Sequence, residues 1–155
     1  MKKIISLALV LAMALALASC DALGIFGKVE EKGDVTVVVE AADGSYEVYK
    51  TYLESVENKK EGAKGVLEHL NQRSDGLYLV MEDSTYGAFV SEIASIKQDT
   101  TKGEYVMVYT SIASDSYEGA SSVNYEGTTL YQSGVGLSGM KVEAGTVILF
   151  RLEKY

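Results

Sequence analysis

The sequence contains no proline, no tryptophan, a single cysteine and a single histidine in 155 residues. With one cysteine no disulfide can form within the chain, so packing alone must stabilise the fold. A serine or cysteine hydrolase triad needs a histidine base, and a zinc site needs several imidazole or thiolate ligands. His69 has no such companions and is expected on the solvated flank of a helix. The sequence therefore predicts no enzyme, no cofactor and no metal.

Basic residues are also few, because 14 Lys and Arg face 22 Asp and Glu, and the net charge is −8. Beyond the first residues the longest basic run is Lys59-Lys60, which is flanked by Glu57 and Glu61. Phosphate backbones are bound by clustered cations, so nucleic acid is not expected as a partner. In place of proline and tryptophan the chain has 11 Tyr and 15 Gly, a composition that favours strands and tight turns.

The first twenty residues have the pattern of an export signal. Lys2 and Lys3 precede an apolar run from Ile4 to Leu17, which is too short for a comfortable membrane span. The run ends in Leu17-Ala18-Ser19-Cys20, which resembles the lipobox of bacterial lipoproteins at every position. This resemblance implies a signal peptide over residues 1–19 and lipid attachment at Cys20.

Lipid attachment at Cys20 would fix the location of the chain. In bacterial lipoproteins the cysteine thiol of the lipobox is the nucleophile toward a diacylglyceryl donor, and the resemblance implies that cleavage leaves Cys20 as the new N-terminus. Each buried methylene contributes about 0.8 kcal/mol, so two long acyl chains hold a protein on a membrane almost permanently. We expect residues 20–34 to be a lipidated N-terminus and tether, on the extracytoplasmic face of the cell membrane.

The remaining residues, 35–155, predict one domain of strands around a helix. Val35–Glu40 and Tyr46–Leu53 flank Ala42-Asp43-Gly44, which is typical of a β-hairpin. Apolar residues at i, i+3, i+4 and i+7 then predict an amphipathic helix, in the order Ala63, Val66, Leu67 and Leu70.

The second half of the sequence is rich in strand signals. Phe89, Ile93 and Ile96 fit either a short helix or an irregular strand. The predicted strands are Leu77–Met81 and Tyr105–Ser111, followed by a hairpin over Val123–Tyr131 that turns at Glu126-Gly127. A final strand is predicted over Val142–Lys154, with Val147 and Leu149 inward and Phe150 as a further candidate for an inward position. Gly134, Gly136 and Gly139 are interpreted as turn glycines of a connecting loop, because the lysine of a phosphate-binding loop is missing.

Three segments carry a family resemblance: the helix segment Gly65–Leu70, then Tyr86–Ile93, and the Gly-Val-Gly turn at 134–136 followed by Ala144–Ile148. Together with the order of hairpin, helix and strands, they resemble the transcobalamin C-terminal-like domains, an SLBB-type β-grasp group. The resemblance implies an α+β, β-grasp-like fold, in which a curved mixed sheet packs on one main helix with an extra β-hairpin.

That group binds soluble ligands, including cobalamin, and recurs in bacterial surface lipoproteins. The resemblance thus implies non-catalytic binding of a soluble small molecule, cobalamin-like or other. The candidate ligand-binding positions that it implies are Tyr86, Gly87, Tyr109, Gly134, Val135 and Gly136. The alternative is a structural lipoprotein whose Tyr-rich sheet meets an envelope protein partner, since the many tyrosines suit recognition and cross-strand pairing equally well.

Two acidic groups could suggest a cation site. Adjacent strand residues such as Glu82-Asp83 point to opposite faces and need not converge. Asp115–Glu118 lacks the ligand spacing of a calcium loop and is interpreted as part of a solvated polar loop over Asp115–Ser121.

Overall fold

The structure is a computed structural model that describes residues 32–73 and 76–155. These residues form an α+β domain with one main helix, a six-stranded mixed sheet and a three-stranded sheet. The predicted fold class is therefore confirmed. The predicted signal peptide, residues 1–19, and the lipid attachment residue Cys20 lie outside the described residues, as does most of the predicted tether.

The six-stranded sheet has the strand order β2-β1-β9-β6-β8-β7. Its strands β1 and β9 pair in parallel, and every other pair is antiparallel. The antiparallel three-stranded sheet has the order β3-β4-β5. The elements are β1 Val35–Glu40, β2 Tyr46–Thr51, α1 Gly62–Asn71, β3 Leu79–Ser84, β4 Gly87–Ile93, β5 Ile96–Lys97, β6 Glu104–Thr110, β7 Ser122–Tyr125, β8 Thr128–Gln132 and β9 Val147–Lys154.

Local patterns predicted the first hairpin and the helix correctly. The β1–β2 turn closes through the Gly44 amide, which donates to the Ala41 carbonyl at 2.9 Å, and Gly44 adopts a φ of +82°. All four residues of the predicted helix face are buried, namely Ala63, Val66, Leu67 and Leu70. His69 is half-buried on the flank of α1.

Both faces of the six-stranded sheet carry a buried apolar cluster. The larger cluster includes α1 and the small sheet, with Ile148 and Phe150 of β9. The smaller cluster lies on the other face and contains Val38, Tyr109, Tyr125, Leu130 and Leu149. Leu149 and Phe150 are therefore both buried, as expected, but they belong to different faces of the sheet.

Two predicted segments differ from the structure or were left open by the sequence. The stretch around Phe89 and Ile93 is strand β4, and Ile96 begins β5. The final strand begins at Val147 and not at Val142, so that prediction was wrong at its start. A turn precedes the strand, since the Thr146 amide donates to the Glu143 carbonyl at 3.0 Å and Gly145 has a φ of +91°.

The two edges of the six-stranded sheet approach each other. Strands β2 and β7 lie at opposite ends of the strand order, yet the rings of Tyr46 and Tyr125 meet edge to face with their centroids 5.2 Å apart. The sheet must therefore curl around the smaller apolar cluster. Within residues 32–73 and 76–155, no helix is long and apolar enough to cross a membrane.

Candidate functional site: a tyrosine–glycine junction

The β3–β4 turn and the loop after β8 meet backbone to backbone. A Cβ atom added to Gly136 would lie 2.4 Å from the Tyr86 carbonyl oxygen and 3.0 Å from Gly87 Cα. The next residue anchors the contact, because the Leu137 amide donates to the Ala88 carbonyl at 2.9 Å. Gly87 has a φ of +101°, which side chains rarely tolerate. This approach therefore requires glycine on both sides.

A third segment, between β6 and β7, adds an aromatic ring to the same loop. A Cβ atom added to Gly134 would lie 3.1 Å from Tyr117 Cδ1, and the Gly134 amide donates to the Asp115 carbonyl at 2.8 Å. We call this group the tyrosine–glycine junction; it consists of Tyr86, Gly87, Tyr117, Gly134, Val135 and Gly136. Tyr86 is 90% exposed, Tyr117 is 51% exposed and Val135 is 41% exposed.

The Asp115 side chain fixes the two loops to each other. Asp115 is only 4% exposed, and its carboxylate accepts a 2.6 Å hydrogen bond from the Lys141 amide. The Lys141 ammonium in turn donates to Ser114 Oγ at 3.1 Å. The prediction that Asp115 belongs to a solvated loop was therefore wrong, because the residue is buried. Its hydrogen bond to Lys141 compensates for the cost of burying a carboxylate.

Tyr109, the remaining predicted position, is not part of the junction surface. Its side chain is 1% exposed and packs in the smaller apolar cluster. The phenol donates to Glu153 Oε1 at 2.5 Å and lies 3.0 Å from Ser121 Oγ. Burial, reinforced by the hydrogen bond to Glu153, raises the pKa of Tyr109 to about 12.

A chain of hydrogen bonds nevertheless links Tyr109 to the junction. Ser121 Oγ donates to Gln132 Oε1 at 2.8 Å, and the Tyr117 hydroxyl donates to the same oxygen at 3.1 Å. The Tyr117 ring is therefore held at both ends, by Gly134 and by Gln132. Sequence reasoning did not select Tyr117 or Gln132 as site residues, because no spacing signal joins a loop tyrosine to a strand glutamine fifteen residues later.

The chemistry that the junction offers is recognition by exposed aromatic faces and loop backbone. A phenol combines a flat apolar face with a polar tip, which suits contact with a partner molecule. Among the described residues, no group of three or more His, Cys, Asp or Glu side chains is arranged to hold a metal ion. The acidic pair Glu82 and Asp83 is exposed on β3.

The sequence matches no protein-family model and no curated protein. The structure is similar to a crystal structure from Ruminococcus gnavus ATCC 29149 whose protein is named "putative metal binding protein". The TM-score is 0.55 at 16% sequence identity, and the alignment covers 80% of this chain and 99% of that one. At this identity the likeness shows a shared fold.

Proposed function

We propose that the protein is a lipid-anchored surface lipoprotein whose domain binds a soluble small molecule, without catalysis, at the tyrosine–glycine junction. The observation that carries the proposal is the convergence of three loops on close glycine contacts, with the Tyr86 ring left almost fully in solvent. An aromatic side chain this exposed contributes little to the core. Its apolar area is available to a ligand.

The proposed ligand class rests on the resemblance to transcobalamin C-terminal-like domains and on the exposed aromatic rings of the junction. Tyr86, Val135 and Tyr117 are exposed side chains on segments that touch, so they offer apolar area to a ligand with a broad apolar face, such as a corrinoid. The described residues hold no cluster of metal ligands, so the metal binding in the name of the Ruminococcus protein does not enter this proposal. A corrinoid carries its own cobalt.

A thermal-shift screen against corrinoids and small metabolites tests the proposed ligand class. A compound that binds only the folded state must raise Tm. At a ligand concentration of one hundred times Kd, the free energy of unfolding increases by about 2.7 kcal/mol. We expect Tyr86→Ala to remove the shift. The matched control is Tyr78→Ala, which truncates another exposed tyrosine outside the junction and should retain it. A shift that Tyr86→Ala leaves intact contradicts the site.

The alternative function is a protein-interaction lipoprotein. It is favoured by further exposed tyrosines, since Tyr105 and Tyr155 contact each other edge to face at 6.2 Å and both are exposed. Tyrosine is enriched where proteins bind each other. A screen without any thermal shift, combined with an envelope protein that cross-links to the wild type and not to Tyr86→Ala, would favour this alternative.

The lipid anchor has its own test, which is independent of the ligand. In the native host, the wild-type chain should incorporate an alkyne palmitate analogue, and mass spectrometry should find an N-terminus at Cys20 that carries acyl chains. Cys20→Ser should remain unlabelled, because serine lacks the thiolate that forms the thioether. An unmodified N-terminus at Met1 in the wild type would refute the anchor.

A further inference from the structure

The end of the β6–β9 ladder carries two exposed tyrosines that do not belong to the junction. Tyr105 pairs with Glu153 across the two strands, and Tyr155 follows Glu153 by two residues, so the three side chains lie on one face of the sheet. The rings of Tyr105 and Tyr155 meet at an interplanar angle of 66°, with their centroids 6.2 Å apart. Tyr105 is 38% exposed and Tyr155 is 73% exposed. We call Tyr105, Tyr155 and Glu153 the aromatic corner.

Tyr155 is held in place through both its main chain and its hydroxyl. Its amide donates to the Gly103 carbonyl at 3.0 Å. Gly103 has a φ of +70°, and a Cβ atom added there would lie 2.6 Å from the Tyr155 carbonyl oxygen, so this approach requires glycine. The Tyr155 hydroxyl donates to Glu153 Oε2 at 3.0 Å. The ring is therefore oriented before any ligand arrives, which reduces the entropy that binding costs.

The charges and ring faces around the aromatic corner favour a cation. The Arg151 guanidinium lies 3.4 Å from a Glu40 oxygen and 3.6 Å from a Glu153 oxygen, so two carboxylates face one guanidinium and one negative charge is in excess. The face of an aromatic ring attracts a cation that lies within about 6 Å of its centroid. Because the two centroids are 6.2 Å apart, one cation between the ring faces can lie within that range of both.

The hydrogen bonds of Glu153 select the kind of cation. Its Oε1 accepts from Tyr109 and its Oε2 accepts from Tyr155. A primary ammonium needs further acceptors for its N–H groups, whereas a quaternary ammonium donates no hydrogen bond and is recognised by aromatic faces. We propose that the aromatic corner binds a quaternary ammonium group, either of free choline or of a choline lipid headgroup. This site shares no residue with the tyrosine–glycine junction and does not depend on the ligand proposed there.

Saturation-transfer NMR of the full chain in dodecyl maltoside, a detergent without an ammonium group, tests this proposal. We expect transfer to the N-methyl protons of choline that saturates in the millimolar range. The neutral analogue, in which a tert-butyl group replaces the trimethylammonium group, has the same shape and should bind about tenfold more weakly, because two exposed cation–π contacts are lost. Glycerophosphocholine distinguishes the two sources: tighter binding than choline indicates a lipid headgroup, and weaker binding indicates free choline.

Leucine variants and matched controls locate the binding. Tyr105→Leu and Tyr155→Leu keep an apolar side chain but remove a ring face, and each should weaken choline binding about threefold. Tyr155→Phe keeps the ring face and should retain binding, as should Tyr78→Leu, which replaces an exposed tyrosine outside the corner. Tyr86→Ala should also bind choline normally, which separates this site from the junction. No transfer to choline, equal binding of the neutral analogue, or unchanged binding by both leucine variants of the corner would overturn the proposal.

Discussion

At the scale of single residues, Tyr109 shows how a side chain can be important without being exposed. Its ring fills the smaller apolar cluster and its hydroxyl joins Glu153 to Ser121. Through Gln132 this group of hydrogen bonds reaches Tyr117. Tyr109 therefore acts on the junction as a positioning residue, and its substitution should affect Tyr117 only indirectly.

The raised pKa of Tyr109 predicts a loss of stability at alkaline pH. The unfolded chain releases this proton near pH 10, whereas the folded chain holds it until about pH 12. Above pH 10 the unfolded state binds fewer protons than the native state, so stability falls as pH rises toward 12. The loss is at most about 3 kcal/mol, because each pKa unit corresponds to about 1.4 kcal/mol.

Urea unfolding of the wild type and Tyr109→Phe at pH 9 and pH 11 checks this prediction. The phenylalanine variant should be less stable at pH 9, because Glu153 loses a hydrogen bond. The difference in the free energy of unfolding between the two proteins should shrink at pH 11, since only the wild type carries the phenol of Tyr109. An equal difference at both pH values would show that Tyr109 titrates normally.

The candidate residues also show the limits of sequence reasoning at this scale. Tyr86, Gly87, Gly134 and Gly136 were selected together, and the structure places them in one junction. Tyr109 was selected with them, but its position in β6 buries its side chain in the smaller apolar cluster. Its partner Glu153 lies 44 residues away, a pairing that depends on the strand order and has no local signal.

At the scale of elements, the contact between the β3–β4 turn and the loop after β8 sets the shape of the junction. Gly136→Ala should therefore destabilise the domain by about 1–3 kcal/mol, since the new methyl group would press on the Tyr86 carbonyl. The same change should weaken any ligand that depends on Tyr86. Chemical denaturation measures the first effect.

Gly139→Ala is the matched control for this prediction. A Cβ atom at Gly139 would lie 3.5 Å from its nearest neighbour, which is an ordinary contact, in the same loop. We expect a change within about 0.5 kcal/mol, as for surface substitutions in general. If the two alanine variants are equally stable, close glycine packing does not position the loop.

Elements with local signals were predictable, and those without were not. The β7–β8 hairpin turns at Glu126-Gly127 as expected, because the two positive φ angles of such a turn favour glycine. Strand β4 was ambiguous, since it buries both Val90 and Ser91 and the ladder shifts register between Val80 and Met81. Such a bulge breaks the alternation by which a strand is recognised.

At the scale of the whole molecule, the sequence predicted the α+β class but not the strand order. The final strand, β9, lies between β1 and β6, and it pairs in parallel with a strand more than a hundred residues earlier. Burial on both faces follows from this central place, because α1 covers one side and the curled edges cover the other. No local pattern specifies which strands become neighbours.

The central place of β9 also affects when the domain can fold. This strand leaves the ribosome after every other strand of residues 32–73 and 76–155, and until it arrives β1 and β6 have no common neighbour. Contacts of such long sequence separation form slowly. A nascent chain of this design therefore cannot complete its six-stranded sheet until its last residues have been made.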